Sequence, residues 1–147
     1  MRASPAAWPI LPVLAVCLLT PRLGHGADTE GLKVLLTSDR AVYARREPVT
    51  LILKVVNDSP NPVHLNFRSS QRFDLLMRDG AAREVWRWSA GRMFAQAAGE
   101  ETLNPSGGEL RFQATARGDF PPGVYTVTGL VPALEGTLSA ETAITVR

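Results

Sequence analysis

Apolar and polar residues alternate in short segments along most of the chain, and turn residues separate these segments at intervals of about ten positions. Successive side chains of a β-strand point to opposite faces, so alternation is typical of half-buried strands. Such segments lie at residues 32–36, 49–55, 63–67, 73–77, 85–88, 110–114, 124–129 and 138–146. No long segment has the helical period. The pattern predicts an all-β antiparallel sandwich of about seven to nine strands.

Two tryptophans stand out within this pattern. A turn at residues 79–80 predicts a β-hairpin, and Trp86 and Trp88 lie two positions apart on its second strand. Both rings should therefore share one face. We expect them to face the core beside Phe73, with Arg87 on the outside. Large rings stabilise a core, whereas an exposed pair would form an aromatic platform for a polypeptide partner, and both interpretations can hold in part.

Three motifs lie between residues 69 and 103: Ser-Ser-Gln-Arg-Phe-Asp, Trp-Arg-Trp-Ser and a following Phe-x-Gln. This stretch closely resembles the BsuPI-type intracellular proteinase inhibitor family, although Phe73 stands where the family often has Tyr. The resemblance implies a small immunoglobulin-like β-sandwich that binds protein and has no catalytic activity. The signature residues to which it gives a structural role are Gln71, Phe73, Asp74, Trp86, Trp88 and Phe94.

Tyr125 follows a Pro-Pro-Gly turn at residues 121–123. A tyrosine in this position resembles the tyrosine corner of immunoglobulin-like sandwiches, in which the phenol closes a loop by bonding to the backbone. We therefore expect Tyr125 to have a structural role, on evidence independent of the tryptophan motif.

The first 26 residues are expected to form a cleavable signal peptide. Arg2 precedes an apolar run, and small residues cluster at Gly24, Gly26 and Ala27. Prolines interrupt the run, which is shorter than the roughly 20 residues that a membrane-spanning helix needs. The sequence therefore predicts a secreted or periplasmic protein with no stable membrane anchor, in which residues 27–147 form the β-sandwich domain.

The residues before Cys17 resemble a bacterial lipoprotein processing box, but Val16 occupies the place of the required small residue, so we do not expect lipidation. Cys17 is the only cysteine of the chain. If it leaves with the signal peptide, the mature domain has no disulfide and no thiol chemistry.

The formal net charge of the chain is +2, and Arg2 and Arg22 belong to the predicted leader. The mature domain is then close to neutral. It also lacks the clustered Lys and Arg residues of a nucleic-acid-binding surface. We therefore expect a protein partner and no nucleic acid.

His64 is the only imidazole beyond the predicted leader, and no nucleophile-elbow motif accompanies it. A Ser-His-Asp hydrolase would depend on this isolated residue. Zinc binding would need further His or Cys ligands. A copper site of His64, Met77 and Met93 is conceivable, but Met77 falls on the predicted core face. We interpret the protein as a non-enzyme without metal or cofactor.

A substrate-like inhibitor needs an exposed, extended loop that is rigid before the proteinase binds. The segment from Ser89 to Met93, flanked by Trp88 and Phe94, fits this description, and Arg92 would enter a trypsin-like pocket of a serine protease. The candidate contact residues are Arg87, Ser89, Ala90, Gly91, Arg92 and Met93.

The alternative is a non-inhibitory adhesion or assembly module of the bacterial cell envelope. The exposed strand edges of such a module would accept an added strand from a partner.

Overall fold

The computed structural model describes residues 29–147, and every regular element in this range is a β-strand. The strands are β1 (Leu32–Ser38), β2 (Val42–Tyr43), β3 (Val49–Asn57), β4 (Val63–Phe67), β5 (Asp74–Arg78), β6 (Glu84–Arg87), β7 (Gly99–Leu103), β8 (Gly108–Ala116), β9 (Gly123–Ala133) and β10 (Gly136–Val146). Within these residues no helix is long and apolar enough to cross a membrane. The predicted signal peptide and Cys17 lie outside the described residues.

The strands form two main sheets and a ribbon. One sheet has the order β1-β3-β8, the other has the order β2-β10-β9-β5-β6, and β4 pairs with β7 in the ribbon. All pairs are antiparallel except β2 with β10. Strands β6 and β8 are therefore edge strands of opposite sheets. This arrangement confirms the all-β sandwich, and its ten strands include two short ones, β2 and β7, that the alternation pattern missed.

The core lies between the two main sheets. On β3 the alternating residues Leu51, Leu53 and Val55 are fully buried, as the pattern predicts. Val127 of β9, in the other main sheet, belongs to the same buried core cluster. A Cβ atom at Gly129 would lie 2.7 Å from the Leu53 side chain, which is too close for an unstrained contact. The glycine therefore allows the sheets to approach closely at this point.

Strand β5 departs from the simple alternation. Leu75 and Met77 face the core as expected, but Asp74 and Leu76 on the opposite face are also buried. The strand lies inside its sheet, between β9 and β6. A central strand that is covered on both faces gives a burial pattern that alternation alone does not predict.

Tyr125 lies near the start of β9 and is almost fully buried. Its hydroxyl donates a hydrogen bond to the carbonyl oxygen of Pro121 at 2.5 Å. This is the geometry of a tyrosine corner. Burial raises the pKa of the phenol above its ordinary value, so the donor remains protonated at neutral pH.

Candidate functional site

The eleven residues between β6 and β7, residues 88–98, contain the candidate contact residues Ser89–Met93, and we call this segment the contact loop. Its first part is a double turn: the Ala90 amide donates to the Arg87 carbonyl at 3.2 Å, and the Arg92 amide donates to the Ser89 carbonyl at 3.0 Å. Gly91 has a φ of 73°, a conformation that glycine adopts without strain. The expectation of an extended chain at residues 89–92 is therefore wrong, because hydrogen bonds close these residues into turns.

Asp74 of β5 anchors this double turn. Its carboxylate accepts hydrogen bonds from the Ser89 amide at 3.1 Å and from the Ser89 hydroxyl at 2.7 Å, and it also accepts from the Leu75 amide at 2.9 Å. The Arg87 guanidinium adds an ion pair at 2.7 Å. Asp74 is only 6% exposed. Partnered carboxylates in such sheltered positions hold the groups around them in one geometry, so the turn is tied to the sheet.

Arg87 is not the free surface group that the strand pattern predicts. Besides Asp74, it contacts the Glu84 carboxylate at 2.6 Å, and its side chain is 31% exposed. Hydrogen bonds to Glu84 and Asp74 raise the pKa of Arg87, and Arg87 in turn lowers the pKa of Glu84. Because Asp74 and Glu84 both pair with Arg87, this side chain holds the site together and is not free to contact a partner.

An aromatic row supports the loop from below. The Phe73 ring stacks on Trp88 with centroids 4.0 Å apart and on Phe112 with centroids 4.6 Å apart. Phe94 packs against the other end of the row, 5.8 Å from Trp88. The row connects β8, the segment before β5 and both halves of the contact loop. It therefore fixes the loop relative to both sheets.

Trp86 and Trp88 pack against the core but remain partly exposed. They line a cleft of about 430 Å³ between the edge strands β6 and β8, with Gln113 and Thr115 on its far side. The two rings thus share one face, as their spacing predicts. They lie at the open side of the sandwich rather than at its centre.

Arg92 folds back onto the loop. Its Nε atom donates to the Trp88 carbonyl oxygen at 2.8 Å, and its guanidinium lies 4.4 Å from the centroid of the Trp88 ring. Both contacts favour one side-chain position, since a cation is attracted to the face of an indole ring. The residue expected to enter a proteinase pocket is therefore engaged with its own loop.

The second part of the contact loop, residues 93–98, has no turn. Its backbone is anchored at Ala95, whose amide donates to the Ser70 hydroxyl at 2.9 Å and whose carbonyl accepts from the Ser70 amide at 2.9 Å. Phe94 is partly buried, whereas the Met93 side chain is 99% exposed. Apart from Phe94, residues 93–98 are therefore exposed, and they form the part of the loop without turns, beside fixed anchor points.

The motif residues before β5 surround the same loop. Gln71 donates to the Phe73 carbonyl at 3.2 Å, and Arg72 bonds the Glu101 carboxylate at 3.0 Å. Arg72 and Ser70 link the segment before β5 to the chain that leaves the contact loop, whereas the Gln71 bond lies within the segment before β5. Sequence reasoning did not single out Ser70 as an anchor. The only indication of its role in the sequence was that Ser70 lies within the Ser-Ser-Gln-Arg-Phe-Asp motif.

The residues considered for catalysis or metal binding do not form such sites. His64 Nδ1 lies 3.1 Å from both Glu100 Oε1 and Thr102 Oγ1. A hydrolase triad instead places its acid and its nucleophile on different ring nitrogens. Met77 is buried in the core and Met93 is exposed, so they do not join His64. Among residues 29–147, no group of three His, Cys, Asp or Glu side chains is placed to hold a metal ion.

A family model described as BsuPI, intracellular proteinase inhibitor, matches residues 36–136, which is more than half of the chain. The matched range includes the whole contact loop and the segments that anchor it. No curated protein matches this chain.

Several solved structures share the fold at low sequence identity. Sporulation control protein Spo0M from Bacillus subtilis is 18% identical with a TM-score of 0.52, and the match covers 80% of this chain and 49% of Spo0M. The C-terminal domain of wzt is 13% identical with a TM-score of 0.51, covering 85% and 76% of the two chains. Red sea bream transglutaminase is 12% identical with a TM-score of 0.51, covering 79% and 16%. The chain spans about half the length of Spo0M, and these likenesses concern the fold alone.

The family description corrects the expected location. A signal peptide would send the protein to the periplasm or out of the cell, whereas the matching family is described as intracellular. The prediction of a secreted or periplasmic protein is therefore wrong. It rested on an apolar run and a cluster of small residues, which are features of composition, whereas the family match rests on the domain itself.

Proposed function

The chain belongs to the BsuPI family of intracellular proteinase inhibitors, and we propose that it inhibits a serine proteinase by binding it through the contact loop. The observation that carries this proposal is the double anchoring of the loop: Asp74 holds its first part and Ser70 holds its second part. Between these anchors the loop exposes side chains and backbone to a partner.

Anchoring supports inhibition because it reduces the entropy that is lost on binding. Ordering a flexible side chain at an interface costs about 0.5–1.5 kcal/mol, and ordering backbone costs more. In the contact loop, the hydrogen bonds of Ser89, Arg92 and Ala95 already impose this order in the free protein. More of the binding energy therefore remains for affinity.

The aromatic row adds a second kind of support. A loop that occupies a proteinase cleft must keep the same conformation when it is bound. Phe73 and Phe94 hold Trp88 from two directions, and the interleaved rings cannot shift independently. The rigid part of the sandwich thus extends to the base of the loop, as a site built on fixed elements requires.

A steric block tests the proposed contact. Ala97 is exposed in the second part of the contact loop, and Ala81 is exposed at the opposite end of β6. The full chain and both variants, Ala97→Trp and Ala81→Trp, are assayed against trypsin, chymotrypsin and subtilisin. We expect Ala97→Trp to weaken inhibition by at least about tenfold, which corresponds to about 1.4 kcal/mol. Ala81→Trp should inhibit like the wild type.

Three results bear on the proposal. Inhibition by the wild type that is lost only in Ala97→Trp supports contact through the loop. Equal inhibition by both variants places the contact elsewhere on the molecule. A wild type that inhibits none of the three enzymes at micromolar concentration contradicts the inhibitory function for these serine proteinases.

A further inference from the structure

We infer that Met93, rather than Arg92, is the side chain that the contact loop presents to its partner, and that the partner is a proteinase whose primary pocket takes a long apolar side chain. This inference rests on the proposed inhibitory function and specifies the class of proteinase. It depends on how the two neighbouring side chains are held in the free protein.

Arg92 would have to break existing contacts to enter a pocket. Its Nε atom donates to the Trp88 carbonyl, and its guanidinium covers one face of the Trp88 indole. If the side chain turned outward, the carbonyl would lose this donor. The indole ring would also lose the cation that covers its face. Binding through Arg92 would therefore require the loop to give up part of the order that makes it a rigid ligand.

Met93 needs no such rearrangement. Its side chain is 99% exposed, the highest value among the exposed large hydrophobic residues. The residues on both sides of it are fixed, Arg92 by its contacts with Trp88 and Phe94 by ring packing against Trp88. A single exposed apolar residue is common on protein surfaces. Here, however, the side chains of both neighbours, Arg92 and Phe94, are held against Trp88, whereas the Met93 side chain between them is exposed.

The chemistry of methionine selects the pocket. Its unbranched thioether chain adapts to deep or irregular apolar pockets, and its burial removes apolar surface from water. A trypsin-like pocket has a carboxylate at its base, and a methionine would leave this charge buried without a partner, which is costly. The loop therefore matches an apolar primary pocket and disfavours an acidic one.

Four variants of the full chain test the assignment against trypsin, chymotrypsin and subtilisin. Met93→Leu keeps an apolar side chain, Met93→Asp places a charge in the pocket, Met93→Arg offers a cation, and Arg92→Ala removes the neighbour. We expect the wild type to inhibit chymotrypsin or subtilisin more strongly than trypsin. Met93→Leu should stay within about fivefold of the wild type, and Met93→Asp should lose about 100-fold or more. Met93→Arg should shift inhibition toward trypsin.

Arg92→Ala is the decisive control. If Met93 is the presented residue, this variant keeps the enzyme preference of the wild type, and any loss of affinity is the same for every enzyme that the wild type inhibits. A wild type that inhibits trypsin best and loses that inhibition in Arg92→Ala, while Met93→Asp has no effect, overturns the inference and leaves the inhibitory function intact. A wild type without inhibition overturns both. Denaturation midpoints, which should be alike for all of these exposed substitutions, identify any variant that fails to fold.

Discussion

Two loops of this protein are both held firmly, but in opposite ways. The corner loop, residues 117–122, joins β8 to β9, and its own side chains and backbone hold it in place. Phe120 is only 6% exposed and packs edge-on against Tyr125, whose hydroxyl bonds the Pro121 carbonyl. Asp119 pairs with both Arg45 and Arg46. Phe120 thus points into the fold, while residues 117–119, 121 and 122 are exposed.

The contact loop is held by its own rings, Trp88 and Phe94, and also by anchors outside it. Ser70 lies in the segment before β5, and Asp74 is the first residue of β5. Both bind mostly backbone groups of the loop. Met93 consequently stays exposed. Rigidity alone therefore does not identify a binding loop. A buried side chain such as Phe120 serves the fold, whereas a loop whose backbone is also held by neighbouring segments can be rigid and still offer a side chain such as Met93.

The largest expected effect separates the two loops by stability. Phe120→Ala removes a buried ring from the corner loop and should lower the free energy of unfolding by about 3 kcal/mol. Met93→Ala should change it by less than about 0.5 kcal/mol, because the side chain is exposed. Chemical denaturation of both variants measures the difference. Similar losses in the two variants would show that the fold also depends on the Met93 side chain.

A second prediction removes an outside anchor. Asp74→Asn replaces the carboxylate that holds Ser89 and Arg87, and it should cost about 1.5–3 kcal/mol, the range for hydrogen bonds that involve charged groups. The more specific effect is local: the Ser89 and Arg92 amides should exchange their hydrogens faster, as the turn opens more often. Hydrogen exchange with NMR detection gives both rates.

Asp79→Asn is the matched control for this experiment. Asp79 bonds the backbone of the β5–β6 hairpin at the other end of β5. Its replacement should speed amide exchange in that hairpin and leave the Ser89 amide unchanged. If Asp74→Asn does not alter exchange at Ser89 either, the aromatic row alone is sufficient to hold the turn.

The fold was largely predictable from the sequence because burial on one face imposes a pattern. Strand β3 and the shared face of Trp86 and Trp88 follow directly from the two-residue period. The two-residue strand β2 was missed, since so short a segment shows no period. The short strand β7 was missed because Glu100, Glu101 and Thr102 give it few apolar positions to alternate.

The sequence predicted a loop between Trp88 and Phe94, but it did not predict the conformation of that loop. The flanking aromatic residues indicated the loop, and the motif indicated Asp74 as a signature residue. Neither showed that Asp74 bonds Ser89, because such a contact joins residues 15 positions apart through the folded sheet. The position of Arg92 was equally hidden. A basic residue in an exposed loop has the same sequence signature whether it points outward or covers a neighbouring ring.

A third prediction concerns the hydrogen bond that closes the corner loop. Tyr125→Phe removes the hydroxyl and leaves the Pro121 carbonyl without this donor, while the ring can still pack against Phe120. The expected loss of stability is about 1 kcal/mol. Thermal denaturation measures it, and proteinase inhibition should not change. Weaker inhibition in a folded Tyr125→Phe protein would mean that the corner loop also contributes to binding.

The smallest expected effect is the pH dependence of the ion pairs that hold the tip of the corner loop. Hydrogen bonds from Arg45 and then Arg46 lower the pKa of Asp119 below its ordinary value of 3.8. A carboxyl group with a lowered pKa in the folded state stabilises the protein above the unfolded-state pKa, and this contribution is lost as the pH falls through the folded-state pKa. The denaturation midpoints of the wild type and Asp119→Asn should therefore differ by a constant amount between pH 7 and 5, and they should converge below about pH 4. Because the carboxylate is open to solvent, 1 M salt should reduce the difference at neutral pH. A difference that persists at pH 2 would show that the tip is held by packing instead of charge.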